Sequence, residues 1–359
     1  MSELMDARRP APARATSSAA TAPGVAEPTT GTPRVVYFNI DGDLDYEHAL
    51  LEQWGMTDRI DLVDAKPGDN RPDTFVKAGG DAEGVVVEYF EVTNPVLDQL
   101  PHLKIAAVQA IGSSNIDPDA ATAHGVAVTN APGFCSPDVA LHTVGMIIDL
   151  VRKISFLDRS VRAGSWDPML GGLPHRITGN TIGLVYFGSI PKLMVPMLQA
   201  MGLRIVVFAP TKSAEYLAEW GVEKVDTLDE LLAVSDIVSL HTPLMAATHH
   251  LIGVRELALM KPSAFLVNTA RGAVVDEPAL VDALRDRRIA GAAIDVIEDE
   301  DHERSELFGL DNVVITPHAA FISTESLADG KRIALEQLVQ RLVAGKRPAN
   351  LVNTELEIG

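Results

Sequence analysis

Three residues in the C-terminal third of the sequence have side chains that could bind a small carboxylic acid and move a proton on it. Arg271, Glu300 and His318 each come soon after an apolar run of the length of a strand. The planar guanidinium of arginine binds a carboxylate through two parallel hydrogen bonds. The imidazole of histidine exchanges a proton near neutral pH, and a carboxylate beside it can orient the ring. These residue types therefore predict acid and base chemistry next to a bound carboxylate.

The elements that must position these residues are short apolar runs that alternate with amphipathic segments from residue 34 onward. Apolar runs bounded by turn residues predict buried strands, and the segments between them predict helices. Long helical patterns cover 136–160 and 276–287, and Asp117 before Pro118 is typical of a helix N-cap. Strands and helices in alternation predict an α/β fold with two doubly wound parallel-sheet domains. The predicted strands are 35–40, 84–89, 104–111 and 126–130 in the first half, and 181–187, 204–209, 236–241, 264–270, 290–296 and 312–316 in the second.

The composition limits the class of protein. The chain has 359 residues, 47% of them apolar, which is enough for about two domains. The net charge of −19 disfavours nucleic acid as a partner, and the apolar runs are much shorter than a membrane span. Cys135 is the only cysteine, so no intrachain disulfide forms and a cytoplasmic protein is expected. Residues 1–32 are rich in Ala, Pro, Thr and Ser, which predicts a disordered tail.

Several blocks of the sequence resemble the D-isomer-specific 2-hydroxyacid dehydrogenase family. The matching words are LKIAAVQAIGSSNID, ITGNTIGLV, LDELLAVSDIVSLHTPL, LALMKPSAFLVNTARGAVVDEPALVDALRDRRIAGAAIDV and NVVITPHAA, within about residues 84–350. GFCSPDVALHT is similar to the branch that contains C-terminal-binding-protein-like sequences. The resemblance implies a Rossmann-like nucleotide-binding domain, residues 138–321, inserted in a flavodoxin-like substrate domain, residues 33–137 and 322–359. It also implies a homodimer and specificity for the D-isomer.

The resemblance gives the three residues named first their roles in an NAD(P)-dependent dehydrogenase. Arg271 would bind the carboxylate of a 2-oxo acid. His318 would be the general acid and base for the carbonyl oxygen or the alcohol. Glu300 would orient His318 and favour its protonated form.

The position of Glu300 follows from its spacing after the arginine, and its surroundings leave alternatives open. Glu300 lies in the acidic run 298–303, EDEDHE, and Asp301 stands where the family usually has proline. A solvated acidic loop would have the same composition. Glu298 or Asp299 could also take the orienting role.

The resemblance implies a substrate loop at the end of the predicted strand 84–89. Tyr89 and Phe90 stand at the position of this loop, and Gly112 matches a glycine whose backbone amide meets the carboxylate. Two adjacent rings could favour an apolar 2-oxo acid or could pack at the edge of a domain. Both interpretations remain open at the level of the sequence.

The glycine-rich turn for a dinucleotide is incomplete. The fingerprint G-x-G-x-x-G provides a tight turn, close approach of the pyrophosphate and close packing of the following helix. Aligned on Gly183, its three positions are Tyr186, Gly188 and Pro191, so only the middle glycine remains. Ala209 stands where an acidic residue usually binds the hydroxyls of the adenosine ribose.

The loss of this carboxylate leaves NAD or NADP undecided as the cofactor. Thr211 and Lys212 could donate to a 2′-phosphate, or Lys212 could simply begin a solvated helix. The cofactor contacts that the resemblance implies are Thr143, Gly188, Ser189, Ile190, Thr211, Lys212, Thr242, Thr269, Ala270 and Asp295.

Other polar residues are not predicted to form sites. His249 and His250 are adjacent rather than three or four residues apart, so they do not resemble a metal-binding pair, and no metal is predicted. Cys135 is expected to be a buried or loop thiol rather than a nucleophile.

Two functions from different classes follow from these residues. The first is a 2-hydroxyacid dehydrogenase that acts on a small 2-oxo or 2-hydroxy acid, which the complete set of arginine, glutamate and histidine supports. The second is a catalytically weak, dehydrogenase-like binding or regulatory protein, which the incomplete glycine turn supports. Binding of NADH or NADPH, and turnover of a 2-oxo acid, would separate the two.

Overall fold

The computed structural model describes residues 31–300 and 304–358, which form two compact units. The first unit comprises the described residues up to Pro132 together with those from Gly330 onward, and the second comprises Gly133–Asp329. Most of the predicted disordered tail, up to residue 30, lies outside the described residues. In the described ranges, no helix has both the length and the apolar character needed to cross a membrane.

The first unit is built on a five-stranded parallel sheet. Its strand order, β2-β1-β3-β4-β5, is the flavodoxin-like order of a doubly wound sheet. The elements are β1 (Arg34–Phe38), α1 (Asp45–Gln53), β2 (Asp61–Ala65), α2 (Pro72–Gly79), β3 (Gly84–Val86), α3 (Asn94–Leu97), β4 (Ile105–Ala107), α4 (Pro118–Ala123) and β5 (Ala127–Thr129).

The second unit is built on a seven-stranded parallel sheet. Its order, β12-β11-β10-β9-β6-β7-β8, reverses direction between β9 and β6, where doubly wound proteins bind their ligands. The elements are α5 (Ser136–Arg152), α6 (Ile154–Arg162), β6 (Thr181–Val185), α7 (Ser189–Ala200), β7 (Arg204–Phe208), α8 (Ala214–Ala218), β8 (Glu223–Lys224), α9 (Leu228–Val234), β9 (Ile237–Leu240), α10 (Val254–Leu259), β10 (Phe265–Asn268), α11 (Glu277–Arg285), β11 (Gly291–Ile294), β12 (Val313–Ile315) and α12 (Thr324–Leu338), which ends in the first unit.

Each sheet is covered on both faces, which explains why its strands read as continuous apolar runs. In the first unit, the C-terminal half of α12 packs on β3. A Cβ on Gly84 would lie 3.0 Å from the side chains of Leu338 and Leu342, so glycine permits this close contact. The prediction of two doubly wound parallel-sheet α/β domains is confirmed.

The local structure differs from the sequence-based predictions in several places. The predicted helix 136–160 is wrong as a single element, because Lys153 has a φ of +56° and separates α5 from α6. The carboxylate of Asp149 accepts hydrogen bonds from the amide (2.7 Å) and the hydroxyl of Ser155, so it stabilises the start of the second helix. The strand β2 was not predicted, because two aspartates interrupt its apolar pattern at the edge of the sheet.

Candidate active site

The three residues predicted to bind and protonate a carboxylic acid follow neighbouring strands of the second unit. Arg271 follows β10, Glu300 follows β11 and His318 follows β12, and these strands lie side by side. Because the carboxyl ends of parallel strands meet at one edge of a sheet, the topology brings the three loops together there.

The imidazole of His318 is hydrogen-bonded to the carboxylate of Glu300, with 2.8 Å between Nδ1 and Oε2. Both side chains are partly exposed, at 40% and 43%. A carboxylate on Nδ1 favours the tautomer with its proton on that nitrogen and leaves Nε2 for proton exchange. Glu298, one of the alternatives in the acidic run, is hydrogen-bonded to His250 instead. Of these two glutamates, Glu300 is therefore the one that reaches His318.

The turn that carries His318 is held by Asp295. The carbonyl oxygen of Asp295 accepts from the amide of His318 at 2.7 Å. Its carboxylate accepts from the amides of Ala319 (2.9 Å) and Ala320 (3.1 Å) and from the hydroxyl of Thr316 (2.5 Å). These bonds stabilise the φ of +49° at His318, a left-handed conformation that residues other than glycine seldom adopt.

This role of Asp295 differs from the direct cofactor contact that the resemblance implies. Asp295 is almost fully buried, and its carboxylate oxygens accept hydrogen bonds from the protein. His142, on α5, was not singled out in the sequence, yet its Nε2 lies 3.1 Å from the hydroxyl of Thr316. A histidine in the middle of a helical pattern gives no signal of such a contact.

The loop after β10 presents Arg271 at the surface. The side chain of Asn268 accepts from the amide of Ala270 (3.0 Å) and donates to the carbonyl of Arg271 (2.9 Å), which fixes the backbone. Glycine is required at position 272, because a Cβ there would lie 1.8 Å from the carbonyl oxygen of Ile297. Within the described ranges, no carboxylate forms an ion pair with the exposed guanidinium, so it is available to an anion.

The turn between β6 and α7 has the shape of a dinucleotide-binding turn despite its substitutions. Tyr186 has a φ of +71°, which favours glycine, and its amide donates to the carbonyl of Phe208 at 2.7 Å. The ring of Tyr186 packs partly against the apolar core. Beyond Gly188 and its two chain neighbours, no described residue has an atom within 4 Å of the position that a Cβ on Gly188 would take. The residues therefore fit a pyrophosphate, which needs this open space before the helix N-terminus.

The first turn of α7 carries three of the predicted cofactor contacts. Gly188 is the N-cap, Ser189 is exposed and Ile190 is partly buried. Pro191 is the third helical residue, where its missing N–H removes no hydrogen bond of the helix. It does leave one amide fewer for an anion at this helix start.

The predicted contacts near the nicotinamide end are mostly engaged within the protein. The hydroxyls of Thr143 and Thr269 lie 2.8 Å apart, and Thr143 also donates to the carbonyl of Val139 at 2.6 Å. Thr143 and Thr242 are buried. The amide of Ala270 is already bonded to the loop asparagine. These residues therefore form hydrogen bonds within the protein rather than present free hydrogen-bond donors.

Two lysines converge on Tyr216, which packs against the core cluster that contains Ala209, where an acidic residue was expected. The ammonium group of Lys212 is 5.4 Å from the centre of the Tyr216 ring, and that of Lys192 is 5.5 Å from the same ring and from the ring of Trp220. The lysines lower the pKa of the Tyr216 phenol, with Lys192 as the main cause. Lys192 was not predicted, because it lies 20 residues before Lys212 in the sequence.

The candidate substrate residues of the first unit have different environments. Tyr89 is 73% exposed, whereas Phe90 is 4% exposed. The ring of Phe90 stacks on Phe75 with centroids 4.1 Å apart and meets Phe38 edge-on. Phe90 is therefore corrected from a substrate contact to a core residue. Gly112 is exposed after the neighbouring strand β4.

Comparison with known proteins assigns these features to a family. Residues 144–320 match the family model described as D-isomer specific 2-hydroxyacid dehydrogenase, NAD binding domain. The glyoxylate reductase of Thermococcus litoralis is 38% identical over 272 residues, which cover 74% of this chain and 82% of that protein.

Solved structures give the same assignment. An acyclic imino acid reductase in complex with NADPH and D-Arg has a TM-score of 0.77 and 25% identity, over 89% of this chain and 99% of that one. The D-lactate dehydrogenase with NAD+ from Lactobacillus jensenii has a TM-score of 0.74 and 25% identity, over the same shares of the two chains. The chain therefore belongs to the D-isomer-specific 2-hydroxyacid dehydrogenase family, and it is an NAD(P)-dependent oxidoreductase of 2-oxo and 2-hydroxy acids.

Proposed function

We propose that Arg271, Glu300 and His318 carry out the reversible reduction of a small 2-oxo acid to the D-2-hydroxy acid. Arg271 binds the carboxylate of the acid through its guanidinium. Protonated His318 gives a proton to the carbonyl oxygen during reduction, and neutral His318 takes it back from the alcohol during oxidation. A bound nicotinamide dinucleotide would supply the hydride for the carbonyl carbon.

The observation that carries this proposal is the hydrogen bond of 2.8 Å between His318 Nδ1 and Glu300 Oε2. It is the arrangement in which a carboxylate stabilises an imidazolium and leaves the other nitrogen free to exchange a proton. In the part of the chain that the structure describes, Nε2 of His318 has no hydrogen-bond partner. The exposed Arg271 follows β10, which is separated from β12 and His318 by β11 alone. It provides the anion site that the same reaction needs.

The proposed cofactor is NADP(H). A 2′-phosphate on the adenosine ribose is favoured by positive charge and by the absence of a carboxylate. Ala209 offers no carboxylate, and two ammonium groups converge on Tyr216. Among the described residues, neither Lys192 nor Lys212 forms an ion pair. Lys212 also lies before α8, which begins at Ala214, so it belongs to the loop between β7 and α8.

A homodimer is proposed from an exposed apolar surface on the second unit. The surface comprises one side of α5, one side of α6 and the segment that follows, and Gly171 in this segment packs against Lys153 and Phe156. Trp166 is 89% exposed and Leu173 is 77% exposed. Several exposed apolar side chains on successive segments of one unit are typical of an association site. The exposed side chains are Leu141, Ile148, Ile154, Val161, Trp166, Met169, Leu170 and Leu173.

The proposed substrates are small 2-oxo acids, with glyoxylate as the first to be tested because the Thermococcus litoralis relative is a glyoxylate reductase. Tyr89 is proposed to border the substrate side chain, and the amide of Gly112 to meet the carboxylate. A cytoplasmic location is proposed from the single cysteine.

The test is a titration of the full-length protein with NADH and NADPH by fluorescence, followed by assays with a panel of 2-oxo acids. We expect tighter binding of NADPH and turnover of at least one small 2-oxo acid. Turnover with a preference for NADH would contradict the proposal of NADP(H) as the cofactor. It would still support the proposed reaction. Binding of neither cofactor would instead support the catalytically weak, regulatory alternative.

A further inference from the structure

Two histidines and a glutamate form a cluster of metal-binding side chains away from the proposed catalytic residues. His249, His250 and Glu298 each offer one ligand atom, and these three atoms all lie within 4.8 Å of one another. Nε2 of His250 is 2.7 Å from Oε1 of Glu298, and the two imidazole rings stack with centroids 4.0 Å apart. We propose that this cluster binds one divalent transition-metal ion, of which Zn²⁺ is the best match.

The donor atoms determine the class of ion. Two imidazole nitrogens with one carboxylate oxygen suit Zn²⁺ and its neighbours, whereas Mg²⁺ and Ca²⁺ prefer oxygen ligands alone. Metal–ligand distances near 2.1 Å place tetrahedral donors about 3.4 Å apart, so rotations of the side chains bring the present atoms into range. The ion takes the place of the hydrogen bond between His250 and Glu298. All three side chains reach solvent, which leaves a fourth position for water.

The backbone already holds the three ligands in place. The amide of His249 donates to the carbonyl of Met245 at 2.9 Å, and the amide of His250 donates to that of Ala273 at 2.8 Å. The amide of Glu298 donates to a carboxylate oxygen on the first turn of α11 at 2.9 Å. His250 has a φ of +50°, an uncommon conformation for a non-glycine residue. A site whose ligand backbones are fixed before binding loses less entropy when the ion binds.

In the sequence alone, the adjacency of His249 and His250 gives no indication of this metal site. The third ligand lies 48 residues after His250 and comes from the loop after β11. The ion is coordinated both by this loop and by the segment before α10. Glu298 precedes the proposed catalytic Glu300 by two residues. Binding therefore stabilises the native loop that leads to Glu300.

The experiment uses untagged, full-length protein stripped of metal with a chelator. Co²⁺ is titrated while the visible absorption is recorded, Zn²⁺ is then added as a competitor, and the melting temperature is measured with and without Zn²⁺. We expect one Co²⁺ per chain with the strong visible bands of tetrahedral nitrogen and oxygen coordination. Zn²⁺ displaces the Co²⁺ and raises the melting temperature, because a ligand that binds the native state stabilises it.

Variants identify the ligands. H249A and E298Q change exposed or partly exposed side chains, and circular dichroism checks that each variant folds. Each should weaken Co²⁺ binding at least tenfold and abolish the rise in melting temperature. H175A removes an exposed histidine elsewhere in the same unit and should change neither. Absence of Co²⁺ binding to the parent protein, or unchanged binding in both H249A and E298Q, overturns the proposal.

Discussion

The backbone of His318 is anchored to Asp295: its amide donates to the carbonyl oxygen of Asp295 at 2.7 Å. The buried carboxylate of the same aspartate accepts from the two amides that follow His318. Asp295 thus fixes the position of the imidazole without touching it. These bonds stabilise the left-handed conformation of His318, which is uncommon for residues other than glycine.

Replacing Asp295 with asparagine should displace the imidazole and weaken the fold. Asparagine places an NH2 group where donors now meet a carboxylate oxygen, and an unsatisfied buried polar group costs about 1–3 kcal/mol. We expect this loss in urea unfolding, with kcat about tenfold lower. D226N, which changes an exposed aspartate of the same unit, is the control. An unchanged kcat in D295N would show that the turn does not depend on this carboxylate.

Replacing Glu300 with glutamine should lower kcat/KM by about 100-fold, within the range for acid and base catalysis. Glutamine keeps the shape but removes the charge that stabilises protonated His318. Steady-state rates with a small 2-oxo acid measure the effect. E219Q makes the same change at an exposed glutamate elsewhere in the second unit and should leave kcat/KM unaltered.

The two lysines beside Tyr216 should set the preference for NADPH. K192A and K212A should each lower kcat/KM for NADPH about tenfold, because each removes a charge near the proposed 2′-phosphate. The values for NADH should stay within about twofold, since NADH has no such phosphate. K346A, an exposed lysine of the first unit, is the control. Equal losses with both cofactors would place the lysines elsewhere in the binding site.

The apolar surface that includes Trp166 should hold two copies of the chain together. W166D places a charge where an apolar contact is proposed and should convert a dimer to a monomer in light scattering coupled to gel filtration. V254D changes another exposed apolar residue outside this surface and should leave the mass unchanged. A parent protein that elutes as a monomer at micromolar concentration would refute the proposed homodimer.

The partly buried His241 should make the fold sensitive to acid. Burial lowers the pKa of His241 to about 3 in the folded chain, and the ordinary value is about 6.5. Between these values the unfolded chain binds a proton that the folded chain does not, so the free energy of unfolding falls as the pH is lowered. Urea unfolding across this window should show a slope smaller by up to about 1.4 kcal/mol per pH unit in H241Q. Equal slopes would show that His241 is protonated in the folded state.

Much of the fold could be predicted because buried parallel strands contain continuous apolar runs, such as 264–267 and 290–294. The strands that escaped prediction lack this pattern: β2 carries two aspartates, and β8 has only two residues. The break between α5 and α6 at Lys153 was not predicted for a different reason. A lysine fits a helical pattern, and its left-handed conformation depends on the contacts of its neighbours.

The sequence by itself determined the fold class and the residue types of the site, because a strand followed by Arg271 or His318 is a local pattern. Only the tertiary structure decided which side chains meet. Strand order brings Glu300 to His318 across 18 residues and Glu298 to His250 across 48. Packing sends the ring of Phe90 into the core and leaves Tyr89 outside. These outcomes depend on contacts between distant segments, and neither spacing nor residue type contains that information.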